Sequence, residues 1–348
     1  MQLLDWHIGR HVLIAILVVL LIVVGLDFTI GLATEIGYLT PSYHFGWALQ
    51  YILLLTPSRV SEFAPLAVLV GCLTGLGTLA SQNELTVMRA AGVSMLRIIW
   101  AVLQPVLFVI VLAMLAGEYV TPWMEQLAQS ERSRHVGMIS HNGLWYRNGD
   151  RYILLHSIKS NGTLQGVSQF SFSNQELAQR QYSSTGQLDD DNWVLHGSTV
   201  THFTANGLVS EQIEEQPWNI MIDSELLAVL NLDPESIAIR HLSNYSDYLE
   251  RHQLDARPYQ LAYWRKLLQP LASLSLVLIG IAFIFGPLRS VSLGQRVVVG
   301  VIFGLIFHYI QDILGPASTL LGLHPLMAAL FPVLSSTLLG LLLLRRAW

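Results

Sequence analysis

The stretch at residues 12–34, VLIAILVVLLIVVGLDFTIGLAT, decides the fold, and Asp27 is its only charged residue. About 20 apolar residues suffice for an α-helix to cross a bilayer, so this stretch predicts a transmembrane helix. No small-residue cleavage site follows it, and we expect a retained helix rather than a signal peptide. Further apolar stretches lie at roughly 46–80, 98–117, 267–287, 297–315 and 325–344. The sequence therefore predicts a membrane α-helical fold with six transmembrane helices, arranged 3+3 around a long insert.

The composition of the chain agrees with this fold class and excludes several functions. Of 348 residues, 52% are hydrophobic and 12% are charged, and the net charge is -5. The chain has no basic tail or stripe, so no nucleic-acid partner is expected. Lys159 and Lys266 are the only lysines and neither follows a glycine, which excludes the phosphate loop that binds ATP. The single cysteine, Cys72, supports neither a disulfide nor a Cys-based zinc site, and we predict no metal and no cofactor.

Basic residues in the short loops predict the orientation in the membrane, because they favour the cytoplasmic side. They fall at both termini and in the loops after the second and fourth apolar stretches, as Arg10, Arg89, Arg97, Arg289, Arg296, Arg345 and Arg346. The loops at 33–45 and 315–323 contain neither lysine nor arginine. Both termini are therefore predicted to be cytoplasmic and the insert periplasmic.

The insert, residues 118–264, differs in character from the membrane domains at 1–117 and 265–348. It is polar, and it contains short runs rich in aromatic and β-branched residues at 143–147, 151–156, 166–172 and 192–196. Asn-Gly pairs and an aspartate cluster separate these runs, as turns separate strands. The pattern predicts an inserted all-β domain, a small jelly roll or sandwich, followed by helices after Asp233-Pro234.

A short polar segment between the second and third apolar stretches, residues 80–92, has the sequence ASQNELTVMRAAG. It predicts an amphipathic helix over about 81–92, with Ser81 as N-cap and Glu84 as its capping-box partner. Gly92 stands where a left-handed residue ends a helix. Such a helix suits docking into a groove of another protein, and the alternative is an ordinary connector between two spans.

Four stretches make the sequence similar to a known family. They are 77–92, GTLASQNELTVMRAAG; 117–122, GEYVTP; 259–270, YQLAYWRKLLQP; and 283–290, FIFGPLRS. Together they resemble the lipopolysaccharide export permeases of the LptF/LptG family, and the last two look more like its LptG branch. The resemblance covers essentially the whole chain, with the same order of segments and the same large insert.

This resemblance implies a permease subunit of an ABC transporter in the inner membrane of a Gram-negative bacterium. Such a subunit pairs with an LptF-like permease, sits on an LptB-like ATPase dimer that binds the ATP, and passes lipopolysaccharide by way of LptC to a periplasmic LptA bridge. The missing phosphate loop agrees with a separate ATPase. By the resemblance Glu84 enters the ATPase groove, flanked by Leu85, Met88, Arg89 and Gly92, while a capping role alone remains the alternative for Glu84.

The resemblance also implies contacts with the phosphates of the lipid head group. Arg132 and Arg134 match a family segment that holds arginines near this group, although they would also serve as surface residues of a periplasmic stem. The family carries lysines in and after its first span, but residues 25–45 contain none. Arg59 would substitute for them, or would pair with Glu62.

Three ionisable residues within the spans are candidates for a gate, because such groups are costly in a membrane and are usually functional or paired. Asp27 lies in the first span, and His308 and Asp312 share one face of the fifth, four residues apart. The family's gates for lateral lipid entry involve these two spans. The alternative is a locally satisfied polar pair.

The β-domain either borders the lipid's route, where its open edges would accept another strand, or acts as a rigid spacer. For the whole chain, the alternative is a membrane-anchored periplasmic enzyme or assembly scaffold. The insert contains neither a G-x-S-x-G elbow nor H-E-x-x-H, and we therefore expect a transport subunit rather than an enzyme.

Overall fold

The computed structural model describes residues 2–41, 43–136, 144–148, 151–158, 163–173, 176–189, 192–204, 207–218, 234–251, 256–286 and 291–347. Its helices are, in chain order, α1 (Gln2–Ile36), α2 (Phe45–Ser81), α3 (Glu84–Ala90), α4 (Met95–Leu115), α5 (Thr121–Val136), α6 (Ile239–Arg251), α7 (Arg257–Phe285), α8 (Leu293–Leu321) and α9 (Pro325–Ala347). A π-helical turn, Ala116–Val120, joins α4 to α5, and a 3-10 turn, Pro234–Ser236, precedes α6.

The six predicted spans are confirmed as helices. Within the described residues, α1, α2, the joined α4 and α5, α7, α8 and α9 are each long and apolar enough to cross a membrane. Several contain an internal proline, which membrane helices tolerate because neighbouring helices and side chains satisfy the freed carbonyls. The chain is therefore a multi-pass membrane protein.

The second helix is the centre of the membrane domain. α2 packs against α1, α7 and α8, and α9 packs against α7. Their inward residues form one core that includes Val12, Leu69, Leu73 and Leu276. By contrast, most of α1 and α8 is exposed, so these helices offer apolar surface to lipid or to another chain.

Close contact between α1 and α2 depends on two glycines. A Cβ atom at Gly71 would lie 2.5 Å from Cα of Ile16, and one at Gly75 would lie 2.8 Å from Cα of Val12. No side chain fits at such distances, so the Gly-x-x-x-Gly spacing brings the two helix backbones together. This pair of glycines therefore serves packing within the chain.

The insert contains an antiparallel sheet, which confirms the prediction of a β-domain. The strands are β1 (Leu144–Asn148), β2 (Arg151–Ile158), β3 (Leu164–Ser173), β4 (Glu176–Asp189), β5 (Asn192–Thr204) and β6 (Gly207–Trp218). They pair in sequential order, and β3 and β4 shift register at Ser171/Phe172. One face of the sheet buries Ile153, Val167 and Trp193, and Tyr245 of α6 packs against it.

Two strands, β4 and β6, are not predicted by the sequence. Both are rich in polar residues, and β6 is exposed along most of its length. They are strands because their backbones pair with β3 and β5, a constraint that no local pattern reports. The described strands form a single meander, whereas a jelly roll contains two sheets. The jelly roll and the 3+3 arrangement therefore remain predictions.

Candidate coupling site and charged clusters

The short helix α3 carries Glu84 at its first position. Asn83 precedes it with a φ of 62°, a left-handed conformation that asparagine tolerates. The predicted capping box is wrong, because Ser81 is still the last residue of α2 and its Oγ donates to the carbonyl of Thr78 at 2.8 Å. α2 thus continues to Ser81, which leaves only Gln82 and Asn83 for the turn before α3.

The predicted end of α3 is confirmed. Gly92 has a φ of 87°, the amide of Val93 donates to the carbonyl of Met88 at 3.0 Å, and the amide of Gly92 donates to Arg89 at 3.0 Å. These two bonds are the Schellman motif, in which a left-handed glycine satisfies the last carbonyls of a helix. Gly92 thus fixes where α3 stops and where α4 can begin.

The apolar side of α3 faces the protein's own core. Leu85 is 4% exposed and Met88 is 9% exposed, and both belong to the cluster that contains Ile8 of α1 and Ile98 of α4. Arg89 is exposed, next to this buried side. Leu85 and Met88 therefore anchor α3 on the membrane helices, and the surface open to a partner consists of the remaining side of α3.

A histidine–carboxylate hydrogen bond and an ion pair connect the segment between α2 and α4 to the start of α1. Oε2 of Glu84 lies 2.9 Å from Nε2 of His7, and both side chains are partly exposed. Arg97, at the start of α4, donates to Asp5 through Nε at 3.0 Å and Nη2 at 2.9 Å. The first turns of α1 are thus tied to the beginnings of both α3 and α4.

The side chain of Arg132 lies in a cluster of aromatic and acidic groups rather than at an open surface. Its Nε donates to Oε1 of Glu35 at 2.8 Å and its Nη2 donates to Oε2 at 3.3 Å. The guanidinium also stands 4.9 Å from the ring centroid of Tyr51, within the range of a cation–π contact. Arg132 therefore ties α5 to the end of α1. The side chain of Arg134 lies outside the described residues.

Tyr43 completes this cluster from the loop between α1 and α2. Its hydroxyl donates to Oε1 of Glu35 at 2.9 Å. Burial raises the pKa of Tyr43, and the hydrogen bond to Glu35 raises the pKa further. The hydroxyl thus stays protonated and supplies the buried carboxylate with a second donor.

Arg59 and Asp27 lie together and link α2 to α1. Nε of Arg59 is 3.4 Å from Oδ2 of Asp27, and its Nη1 donates to Oε2 of Glu62 at 2.8 Å. The predicted alternative of an Arg59–Glu62 pair is confirmed, and Asp27 is an additional partner. Like Arg132, Arg59 already has carboxylate partners within the chain.

His308 and Asp312 share one face of α8, as predicted. Nε2 of His308 lies 3.3 Å from Oδ2 of Asp312. Arg265 of α7 approaches the same carboxylate at 3.9 Å, pairs with Glu235 at 2.6 Å and donates to the carbonyl of Gln311. This arginine, which the sequence does not single out, connects α7 to α8.

A cavity of about 300 Å³ lies between α2, α5, α7 and α8 and contains much of this polar network. Its charged wall residues are Arg59, Glu62, Glu118, Glu125, Glu235, Arg265, Lys266 and Asp312. The cavity therefore carries mixed charge, with more carboxylates than basic groups.

The 117–122 motif forms the π-helical turn between α4 and α5. Pro122 has no amide hydrogen to donate to the preceding turn, and π-helical turns arise where the regular pattern is interrupted in this way. Glu118 of this turn accepts the amide of Ile239 at 2.7 Å and so caps the start of α6. The motif thus joins the third span to the helix that packs on the sheet.

These features define a multi-pass membrane protein that carries an inserted β-domain. The family described as lipopolysaccharide export system permease LptF/LptG matches residues 6–346 of the chain. The lipopolysaccharide export system permease protein LptG of Escherichia coli (strain K12) is 33% identical over 352 residues, which cover 99% of this chain and 98% of the relative. The protein of the same name from Haemophilus influenzae is 29% identical over 95% of both chains. The chain therefore belongs to the LptF/LptG family, whose members are named as permeases and not as enzymes.

Proposed function

We propose that this chain is the LptG-type transmembrane subunit of an ABC transporter. The transporter extracts lipopolysaccharide from the inner membrane and passes it to a periplasmic bridge of LptC and LptA. An LptF-like permease forms the other half, and an LptB-like ATPase dimer supplies the energy. Membership of the permease family over nearly the whole chain supports this function.

The observation that carries the coupling role is the construction of α3. Its carboxylate Glu84 is partly exposed at the helix start, while Leu85 and Met88 hold the helix in the core of α1, α2 and α4. A push on the exposed side is therefore transmitted to three membrane helices as a rigid-body movement. Arg89 and Gly92 complete this site, Arg89 by its exposed charge and Gly92 by fixing the end of the helix.

The lipid would enter a cavity formed with the LptF-like chain along the exposed faces of α1 and α8. Asp27, His308 and Asp312 belong to ionic ties at these helices, and we propose that opening the gate breaks the ties to Arg59 and Arg265. Arg59 and Arg132 would reach phosphate only after such a rearrangement. We propose Arg134 as a further lipid contact. In this scheme the termini are cytoplasmic, and the sheet is one wall of a periplasmic jelly roll.

Glu84→Ala tests the proposed function. We expect the variant to fold in the membrane but to bind the ATPase on the order of 30-fold more weakly, the loss typical of an interface hot spot. The measurement is ATPase recovery and ATP-driven lipopolysaccharide release after purification in mild detergent. Glu214→Gln, which removes an exposed carboxylate from β6, is the matched control.

Normal complex yield and normal lipid release by Glu84→Ala would contradict the coupling role. Purification of the wild-type chain without an ATPase and a second permease, under conditions in which a known complex survives, would favour the membrane-anchored enzyme or scaffold.

A further inference from the structure

The contact between α1 and α3 assigns a further role, which rests on the proposed coupling function. We propose that His7 is a positioning residue: it holds the Glu84 carboxylate in the orientation in which the ATPase binds it. Through His7, movement of the coupling helix reaches the first span directly.

The contact is specific in geometry. Nε2 of His7 lies 2.9 Å from Oε2 of Glu84, although 77 positions separate the residues. The ring of His7 is itself held from one turn further along α1, where the ring of His11 lies 4.4 Å away. Nδ1 of His11 is bonded to the carbonyl of His7 at 2.9 Å. The imidazole is therefore placed by its own helix before it meets Glu84.

A carboxylate can accept several hydrogen bonds, because each of its two oxygens has two lone pairs. His7 contacts the oxygen Oε2, and Oε1 is the oxygen that a basic group of the ATPase would bind. A glutamate at the exposed start of a short helix otherwise samples several rotamers, and fixing it in advance lowers the entropic cost of docking. His7 would thus increase affinity without itself touching the partner.

The contact between His7 and Glu84 also lets movement of α3 reach α1. Asp5 and His7 tie the first turns of α1 to Arg97 and Glu84, which lie at the starts of α4 and α3. A few residues further along, Gly75 brings α2 against the backbone of Val12. When the ATPase displaces Glu84, the movement therefore reaches α1, the helix that is least enclosed by the rest of the chain.

The experiment compares His7→Phe with His7→Gln in the full-length chain. Phenylalanine keeps a flat ring but cannot hydrogen-bond, whereas the amide nitrogen of glutamine takes a place close to Nε2 of histidine. We expect His7→Phe to weaken ATPase binding about tenfold, the scale of a hydrogen bond to a charged group. We expect His7→Gln to stay within about twofold of wild type, because it retains this bond. Trp6→Phe, at the exposed neighbouring position of α1, is the control and should bind normally.

A double-mutant cycle with Glu84→Ala separates positioning from packing, because alanine cannot accept a hydrogen bond from His7. If His7 acts through Glu84, His7→Phe has no further effect once Glu84→Ala is present. Equal losses from His7→Phe in both backgrounds, or an equal loss in Trp6→Phe, would overturn the inference. Normal binding by His7→Phe together with weak binding by Glu84→Ala would also overturn the inference and leave the proposed function intact. Normal binding by Glu84→Ala would remove both the coupling role and the inference.

Discussion

Arginine side chains near the membrane spans hold the helices together through ion pairs. Arg59 joins α1 to α2, Arg132 joins α1 to α5, and Arg265 joins α7 to α8. A cation at such a site is tolerated when a carboxylate or carbonyl accompanies it. A basic residue at a position that resembles a lipid contact is therefore not by itself a free phosphate ligand.

The Arg132–Glu35 pair allows these two roles to be separated. Glu35 is 5% exposed, and removing one partner of such a buried pair costs about 3–5 kcal/mol. We expect Arg132→Gln and Glu35→Gln to lower the free energy of unfolding by amounts of this order. The double variant should recover at least half of the loss, because it leaves no unpaired charge. Thermal unfolding in detergent measures the free energies of unfolding of the two single variants and the double variant.

Arg240→Gln provides the control for this comparison. Arg240 lies 3.8 Å from Glu118 and is largely exposed, so its loss should cost at most about 1 kcal/mol. If Glu35→Gln retained full stability, the pair would not be a structural tie, and the role of Arg132 as a lipid contact would gain support.

At the scale of elements, the sequence predicts what local patterns determine. Apolar length specifies six spans, and Gly92 specifies the end of α3. The start of α3 is not predicted because Ser81 continues α2, where its Oγ donates to the carbonyl of Thr78 and does not cap α3. Periodicity shows that Leu85 and Met88 share one side of α3, but it cannot show that this side meets the chain's own core.

The sequence also does not predict contacts between residues that are far apart in the chain. Arg132 and Glu35 are 97 positions apart, and His7 and Glu84 are 77 apart. Each pair forms because two helices pack in one register, which depends on the whole bundle. The resemblance to a family directs attention to Arg132 and Glu84, but it does not identify their partners.

Because α1 packs closely on α2, we expect alanine to have different effects on stability at two glycines of these helices. In Gly71→Ala the new Cβ meets backbone atoms of Ile16, so a helix must move, and we expect a loss of about 1–3 kcal/mol in the free energy of unfolding. Gly25→Ala, within α1, meets nothing within 4 Å. It should be neutral or raise this free energy by up to about 1 kcal/mol, since alanine favours helices.

Thermal unfolding of the two alanine variants in the same detergent measures this difference. Equal free energies of unfolding for Gly71→Ala and Gly25→Ala would show that α1 adjusts freely on α2. The close approach at Gly71 would then not contribute to stability.

At the scale of the whole molecule, the exposed faces of α1 and α8 are the surfaces that the chain leaves for others. Leu21 of α1 is 74% exposed and Ile313 of α8 is 67% exposed. Lipid and a second permease are both apolar, so composition cannot tell which of them a given face meets. The distribution of arginines predicts which ends of these helices face the cytoplasm.

Labelling of single cysteines tests the orientation, and the chain suits it because Cys72 is its only cysteine and is buried. In a Cys72→Ala background, cysteine is introduced at the exposed positions Pro41, Gln82 and Gln212. Basic loops stay on the cytoplasmic side, so a membrane-impermeant maleimide added to spheroplasts should label Pro41→Cys and Gln212→Cys. Gln82→Cys, beside α3, should react only after permeabilisation. Labelling of Gln82→Cys in intact spheroplasts would place α3 on the wrong side for any cytoplasmic ATPase, and the coupling role of Glu84 would fail with it.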